Sequence, residues 1–243
     1  MSTQNSCRVT TDIHTKYRIK RTSYREDDLE KLKFILEPYF QANEEKRLSE
    51  ACIKRFLRAF LTTEETHEAI VRFLEWRDKF HVSSLCADDP EIAKEHAIGR
   101  CCVMDTKDRD GRPVVLVKVR LHDPSTRDMH SLTNYTIHML EQLASHCNED
   151  VIDNFCIIFD LKGFSLRNMD YTYVKRLIWI LQNCYPERLG VCLIINSPWI
   201  FYGCWSVIKL WINEVTASKI IFVQNEDDLE DFVPLDSIPE KLI

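Results

Sequence analysis

Four short, unbroken apolar runs limit what this chain can become: Val114–Val117, Phe155–Asp160, Val191–Asn196 and Ile220–Val223. None alternates apolar with polar residues, so each predicts a strand buried on both faces. Between the later runs lie helical stretches, about Asp128–Cys147, Met169–Cys184 and Trp199–Trp211, and a short helix is expected near Asp227–Phe232. Parallel strands need a long crossover, usually a helix, to bring the chain back to the same edge. The pattern therefore predicts an α/β domain with a largely parallel sheet covered by helices. Cys101–Met104 adds one more strand, joined to Val114–Val117 by the polar turn Lys107–Pro113.

Before residue 99 the rhythm is helical. One helix is expected from Asp27 to a stop near Pro38, a second over about Leu48–Phe60, and a third over about Thr63–Lys79, opened by Thr63 with Thr66 three residues on. Together they predict an α-helical N-terminal lobe over residues 27–98, followed by the main domain over 99–243. Residues 1–26 are polar and are expected to be flexible.

Composition removes several classes of function. A net charge of −6 and a pI of 5.8 argue against broad nucleic-acid binding, which needs clustered Lys and Arg. The first twenty residues hold Arg8, Lys16, Arg18 and Lys20 and no apolar core, so no signal peptide is read there and a cytoplasmic protein is expected. The apolar stretch Val191–Trp211 is broken by Asn196, Ser197, Pro198 and Gly203, too interrupted to span a bilayer. Ten cysteines include the adjacent Cys101-Cys102 but no Cys-x-x-Cys, and free thiols are expected. The sequon Asn134-Tyr135-Thr136 reads as chance in a chain of this kind.

Catalytic signatures are equally sparse, and no enzyme is expected. Five glycines cannot be arranged into a phosphate loop or a dinucleotide fingerprint. His67-Glu68 lacks a second histidine at zinc-protease spacing, no Gly-x-Ser-x-Gly occurs, and no metal site is expected. His81, His122 and His130 read as loop or surface residues, and Asp160 as a carboxylate that bonds the following Lys162-Gly163 turn. What remains is Tyr185–Val223, with Glu187 and Lys219 at the two ends of an otherwise apolar unit. Apolar walls with a few fixed polar groups suit a closed site for a lipid-like ligand.

Several segments resemble the CRAL-TRIO lipid-binding family, over about residues 48–240. Lys54–Ala59 with Glu75-Trp76-Arg77 is similar to its N-terminal helical motif, and Asp110–Val114 to its first hairpin. Phe159–Gly163 is similar to the end of its central strand, and Tyr185–Gly190 with Ile195–Phe201 to its most specific segment. Asn168–Tyr171 and Trp205–Trp211 resemble the phosphatidylinositol transfer branch more than the tocopherol carriers.

The resemblance implies the CRAL-TRIO fold and a protein that holds one lipid, phosphatidylinositol first among the candidates, and exchanges it at membranes without covalent chemistry. Exposing the two acyl chains to water would cost on the order of 25 kcal/mol at about 0.8 kcal/mol per CH₂, so a carrier must enclose both. The implied gate is the helix Trp199–Trp211, with Trp199, Phe201, Tyr202, Trp205, Ile208 and Trp211. Glu187 and Lys219 coincide with the pair that contacts the inositol phosphate headgroup, and Arg188 and Thr216 are weaker members of the set.

Two departures stand out. Phe60-Leu61 replaces an Arg-Lys pair of the headgroup-binding branch, and Phe155 and Ile157 replace small hydroxyl residues on the central strand of members that also bind phosphatidylcholine. No cofactor is implied beyond the bound lipid. The implied partners are phospholipid and a transient membrane surface, with a lipid kinase or GTPase as a further candidate, for a monomer associated peripherally with membranes. The alternatives are a carrier of a neutral sterol-like or isoprenoid ligand and a lipid-sensing recruitment module.

Overall fold

The computed structural model describes residues 23–149 and 151–237. Most of the segment 1–26 expected to be flexible therefore lies outside the described residues, as does the end of the chain from 238.

Three helices come first: α1 (Glu26–Ala42), α2 (Glu50–Phe60) and α3 (Thr63–Lys79). The expected stop of α1 at Pro38 is a correction, because the helix runs through the proline. Proline removes the bond to the carbonyl four residues earlier. Here that carbonyl belongs to Phe34, on a face 82% exposed where water can replace the donor, while Leu36 and buried Phe40 hold the next turn to the core. The cap of α3 is also shifted: Thr62, not Thr63, accepts from the Glu65 amide, and Ser49 caps α2 in the same way. A helix the sequence reading did not anticipate follows, α4 (Pro90–Ala97), although Asp89-Pro90 is a regular helix opening with a capping carboxylate and proline at the first position.

Five strands form one sheet in the order β1 (Cys101–Lys107), β2 (Pro113–Lys118), β3 (Phe155–Asp160), β4 (Leu189–Ile195) and β5 (Ile220–Phe222). Only β1 and β2 are antiparallel; the remaining pairs are parallel. The crossovers are α5 (Met129–Ser145), α6 (Tyr171–Asn183), and α7 (Phe201–Ile208) with α8 (Glu214–Ser218); α9 (Glu226–Glu230) follows β5. The hairpin is fixed by Arg112, which pairs with Asp108 and Asp110 and bonds Asn154. It crosses so close to Gly190 that a Cβ there would meet Arg112 Nε at 2.5 Å.

The two faces of the sheet have different neighbours. One carries Val114, Leu116, Cys156, Ile158, Val191, Leu193 and Ile195, sealed by Val223, Leu229, Phe232 and Val233. On the other face, Val115, Phe155 and Ile157 share a core with α1, α2, α3 and α5, and Cys192 and Ile194 share one with α7. This second face is the one that borders a cavity.

Candidate functional site

A cavity of about 740 Å³ lies against that second face, within the range of ~300–1,000 Å³ usual for ligand pockets. Its floor is Val115, Val117, Ile157, Phe159, Cys192 and Ile194, one side of the pleat. The walls come from α5 with Leu132, Met139, Leu140 and Leu143, from α6 with Val174, Ile178 and Leu181, and from α7 with Phe201, Trp205 and Ile208.

Glu187 and Lys219 meet at the end where β4 and β5 begin, with Lys219 Nζ donating to Glu187 Oε2 at 3.2 Å. The Lys219 side chain is 10% exposed and that of Glu187 18%. Both positions are set by backbone. Lys219 closes α8, and its carbonyl accepts from the Cys192 amide at 2.8 Å. Glu187 sits in the left-handed region with φ 56°, a conformation that costs a non-glycine residue roughly 1–2 kcal/mol. Removing one partner from a pair this enclosed strands the other charge, at a cost of about 3–5 kcal/mol in fully buried cases. Thr216 also lines the cavity, one turn before Lys219.

Arg188 does not line this cavity. Its guanidinium donates to Glu149 Oε1 at 2.6 Å and to the Asp153 carbonyl at 2.8 Å. Glu149 also accepts from Arg55 and Ser49, and Asp153 from Arg58, so the basic residues of α2 clamp the turn that carries Glu187. Burial alone would raise the Glu149 carboxyl, but Ser49, Arg55 and Arg188 outweigh it and hold it below the usual range. Glu149 and Asp153 were missed by the sequence reading, because their partners lie 94 and 95 residues away in α2.

The expected gate helix is α7 followed by a 3₁₀ turn over Lys209–Trp211. Phe201, Cys204 and Ile208 point inward, and Trp205 packs edge-on to Phe222 at 5.5 Å. Trp199 precedes the helix, 82% exposed, and Tyr202 is half exposed. Trp211 packs on Tyr171 and, like Trp199 and Tyr202, does not line the cavity. Phe155 is fully buried in the core beside the cavity, whereas Ile157 forms part of its floor. Phe60 and Leu61 line it at the end of α2.

His122 lies in a loop, as expected, but is buried and not on the surface, and it forms part of the cavity wall, where it stacks on Tyr173. Its polar partners, Arg100 and Asp170, come from 22 and 48 residues away, so nothing in its local sequence marks it. Asp160 does bond the Lys162 amide, at 2.9 Å, and also accepts from Arg120 and Asn196. Cys101 is a poor nucleophile, its thiol pushed up to about 12 by burial and the neighbouring Cys102. Among the described residues no group of side chains suits a metal ion, and no helix is long and apolar enough to cross a membrane.

The family model of the CRAL/TRIO domain matches residues 98–242. Among curated proteins, the chain is 39% identical over 156 residues to a phosphatidylinositol transfer protein, CSR1, of Eremothecium gossypii, covering 64% of this chain and 35% of that protein. It is 31% identical over 192 residues to the CRAL-TRIO domain-containing protein C3H8.02 of Schizosaccharomyces pombe, covering 76% and 43%. With the Sec14 cytosolic factor of the same yeast the identity is 30% over 216 residues, covering 81% and 75%. The chain thus spans about a third and under half of the length of the first two relatives. The crystal structure of Sfh5 superposes with a TM-score of 0.70 at 17% identity, over 86% of this chain and 84% of that one, a likeness of fold.

Proposed function

The chain belongs to the CRAL/TRIO domain family, and from that premise we propose that it carries a phospholipid, phosphatidylinositol, between membranes. The observation that carries this reading is an apolar cavity with one enclosed Glu187–Lys219 pair at its end. The acyl chains lie along the sheet floor, removed from water. At the headgroup, Lys219 gives a charge-assisted hydrogen bond to the phosphate and Glu187 accepts from inositol hydroxyls. The pair neutralises itself while the headgroup is away, which avoids stranding either charge.

Arg188 belongs to this reading as a positioning residue. It locks the turn that presents Glu187 and does not reach the headgroup. The name of the relative from Eremothecium gossypii supports the choice of lipid. Phe60 and Leu61 line the cavity without charge and Arg58 is engaged by Asp153, which leaves Lys219 as the cation that meets Glu187.

α7 is the element that must move for exchange. Its inner face seals the cavity, and its outer side, with Tyr202 and Val207 and flanked by Trp199 and Leu210, is apolar enough to meet a bilayer. A Cβ added at Gly203, in the middle of α7, would meet nothing within 4 Å, so the glycine lowers helix stability without a packing reason.

The test is to purify the protein from cells, extract it with organic solvent and identify the retained lipid by mass spectrometry. Phosphatidylinositol is expected in wild type and absent from the Glu187→Ala/Lys219→Ala double variant at unchanged secondary structure. Retained phosphatidylinositol in the double variant would remove the headgroup assignment, and a neutral lipid in both would make the protein a carrier of apolar ligands. For the gate, Trp205→Asp should slow transfer between vesicles more than it weakens equilibrium loading. Equal loss of both would make α7 a plain core helix.

A further inference from the structure

Among the described residues, α7 and the turn that ends it have one aromatic contact held by a charge. The stretch that must swing for α7 to open lies between Asn196, whose backbone is left-handed at φ 55°, and the extended Ile212. Trp211 is the last residue of that stretch. It does not line the cavity, so its place is not set by the cargo. It packs on α6 instead. Tyr171 meets its ring edge-on at 5.8 Å, and the Lys175 ammonium stands over the ring face, 4.6 Å from the centroid.

The other aromatic contacts of α7 are uncharged. Phe201 packs on Phe164 at a centroid distance of 5.4 Å, and Tyr202 and Trp205 pack on Phe222 of β5 at 5.4 and 5.5 Å. Such contacts are indifferent to the charge of a nearby surface. A cation over an indole is held by the negative face of the ring, and at an exposed site that attraction shifts an equilibrium by roughly two- to fivefold. Lys175 is exposed, and no carboxylate among the described residues lies within ion-pair distance of it. Asp170, the cap of α6, is held by Arg127 and His122. The ring is therefore the one protein partner of this ammonium among the described residues, and a stronger anion can take it.

The surroundings indicate which anion. Tyr171, Lys175 and Trp179 follow one another at steps of four along α6 and share a stripe, in which Trp179 is half exposed. On the side of the gate, Val207 and Leu210 are exposed, and so is a second cation, Lys209, in the same 3₁₀ turn as Trp211. A free phosphate ion would satisfy the lysines and leave the apolar groups in water. An anionic lipid surface supplies negative charge for Lys175 and Lys209 together with an interface in which a released indole is stable.

We propose that Lys175 is a positioning residue for cargo exchange: its ammonium latches Trp211, and with it the end of the gate, against α6, and an anionic lipid surface unfastens the latch by drawing the ammonium off the ring. The inference rests on α7 being the gate of a lipid carrier, as proposed above, and adds the condition under which the gate opens. A neutral membrane leaves the latch closed.

Two readouts test it. One is amide hydrogen exchange of residues 199–211 in the purified protein alone, followed by mass spectrometry, which reports opening of α7 whatever the cargo. The other is transfer of labelled phosphatidylinositol from phosphatidylcholine vesicles to acceptor vesicles of phosphatidylcholine with or without phosphatidylserine. Lys175→Met keeps a long stem over Trp211 and removes the charge. It should speed both the exchange and the transfer to neutral acceptors by roughly two- to fivefold, and should lose most of the several-fold gain that phosphatidylserine gives wild type. Lys175→Arg keeps the cation and should behave as wild type. Lys209→Met should reduce the gain from phosphatidylserine without speeding exchange, because that lysine is not on the ring. Exchange in Lys175→Met at the wild-type rate overturns the latch. A full phosphatidylserine gain in that variant, no gain in wild type, or an equal gain from inorganic phosphate in solution overturns release by an anionic membrane. If wild type transfers no phosphatidylinositol while Lys175→Met still exchanges faster, the carrier reading falls and the latch on α7 stands.

Discussion

The two faces of the central sheet are made by the same strands from nearly the same residue types, yet they have opposite tasks. On one, Ile158, Val191, Leu193 and Ile195 are packed without a gap against the segment after β5. On the other, Ile157, Phe159, Cys192 and Ile194 border open volume. Apolar character alone does not make a core; it makes a surface that must be covered, by the chain or by something the chain carries. A cavity floor is a sheet face for which the sequence provides only part of the cover.

The largest effects that would sharpen this contrast come from paired substitutions one residue apart. Ile158→Phe on the packed face should lose about 1–3 kcal/mol, read from the denaturant midpoint. Ile157→Phe should cost far less, since the added atoms enter the cavity, and should instead displace lipid, read by extraction and mass spectrometry. Similar losses of stability would break the distinction between the faces. A deletion pair tests the same point: Leu193→Ala should cost about 2–5 kcal/mol and Ile194→Ala visibly less.

A smaller effect is expected at Gly203. Gly203→Ala should stabilise α7 by up to about 1 kcal/mol and slow vesicle-to-vesicle transfer, while the equilibrium amount of bound lipid stays the same. Unchanged transfer kinetics would mean that α7 does not unfold or bend in the slow step.

The smallest expected effect is acid sensitivity at the cavity wall. Burial, which outweighs the bond to Asp170, and the nearby Arg100 guanidinium keep His122 below its ordinary value. A histidine with a depressed folded-state pKa binds its proton more readily in the unfolded chain. Its contribution is therefore fully present above about pH 6.5 and falls as the pH drops below that. Denaturation midpoints from pH 7 to pH 5 should decline less steeply in His122→Gln than in wild type.

Most of the fold was legible in the sequence, because strands buried on both faces announce themselves as apolar runs. β3 was expected over Phe155–Asp160 and spans those residues, and the crossover helices fall within a few residues of their expected positions. α1 was shortened in expectation because a proline weakens a helix locally, whereas Phe40 extends it by a contact the local sequence does not contain. The Glu187–Lys219 pair was expected from a resemblance, and the two side chains do meet. Arg188 was placed in the same set by the same resemblance, but its side chain turns to Glu149 and the Asp153 carbonyl and does not line the cavity. The Arg100–His122–Asp170 cluster was invisible, because its members come from three separate loops and helix ends that only the folded sheet brings together.

The left-handed backbone at Glu187 carries a consequence for how the protein could be improved or spoiled. Selection for stability alone would install glycine there, since glycine adopts that conformation without steric cost. With Lys219→Met, so that no charge is stranded, Glu187→Gly should yield a hardier protein that no longer distinguishes its cargo. Under the headgroup role proposed for Glu187, the site is a standing compromise, in which durability is surrendered at one residue for discrimination between ligands. A search for thermostable variants of this chain should therefore converge on that turn and, in doing so, erase its selectivity.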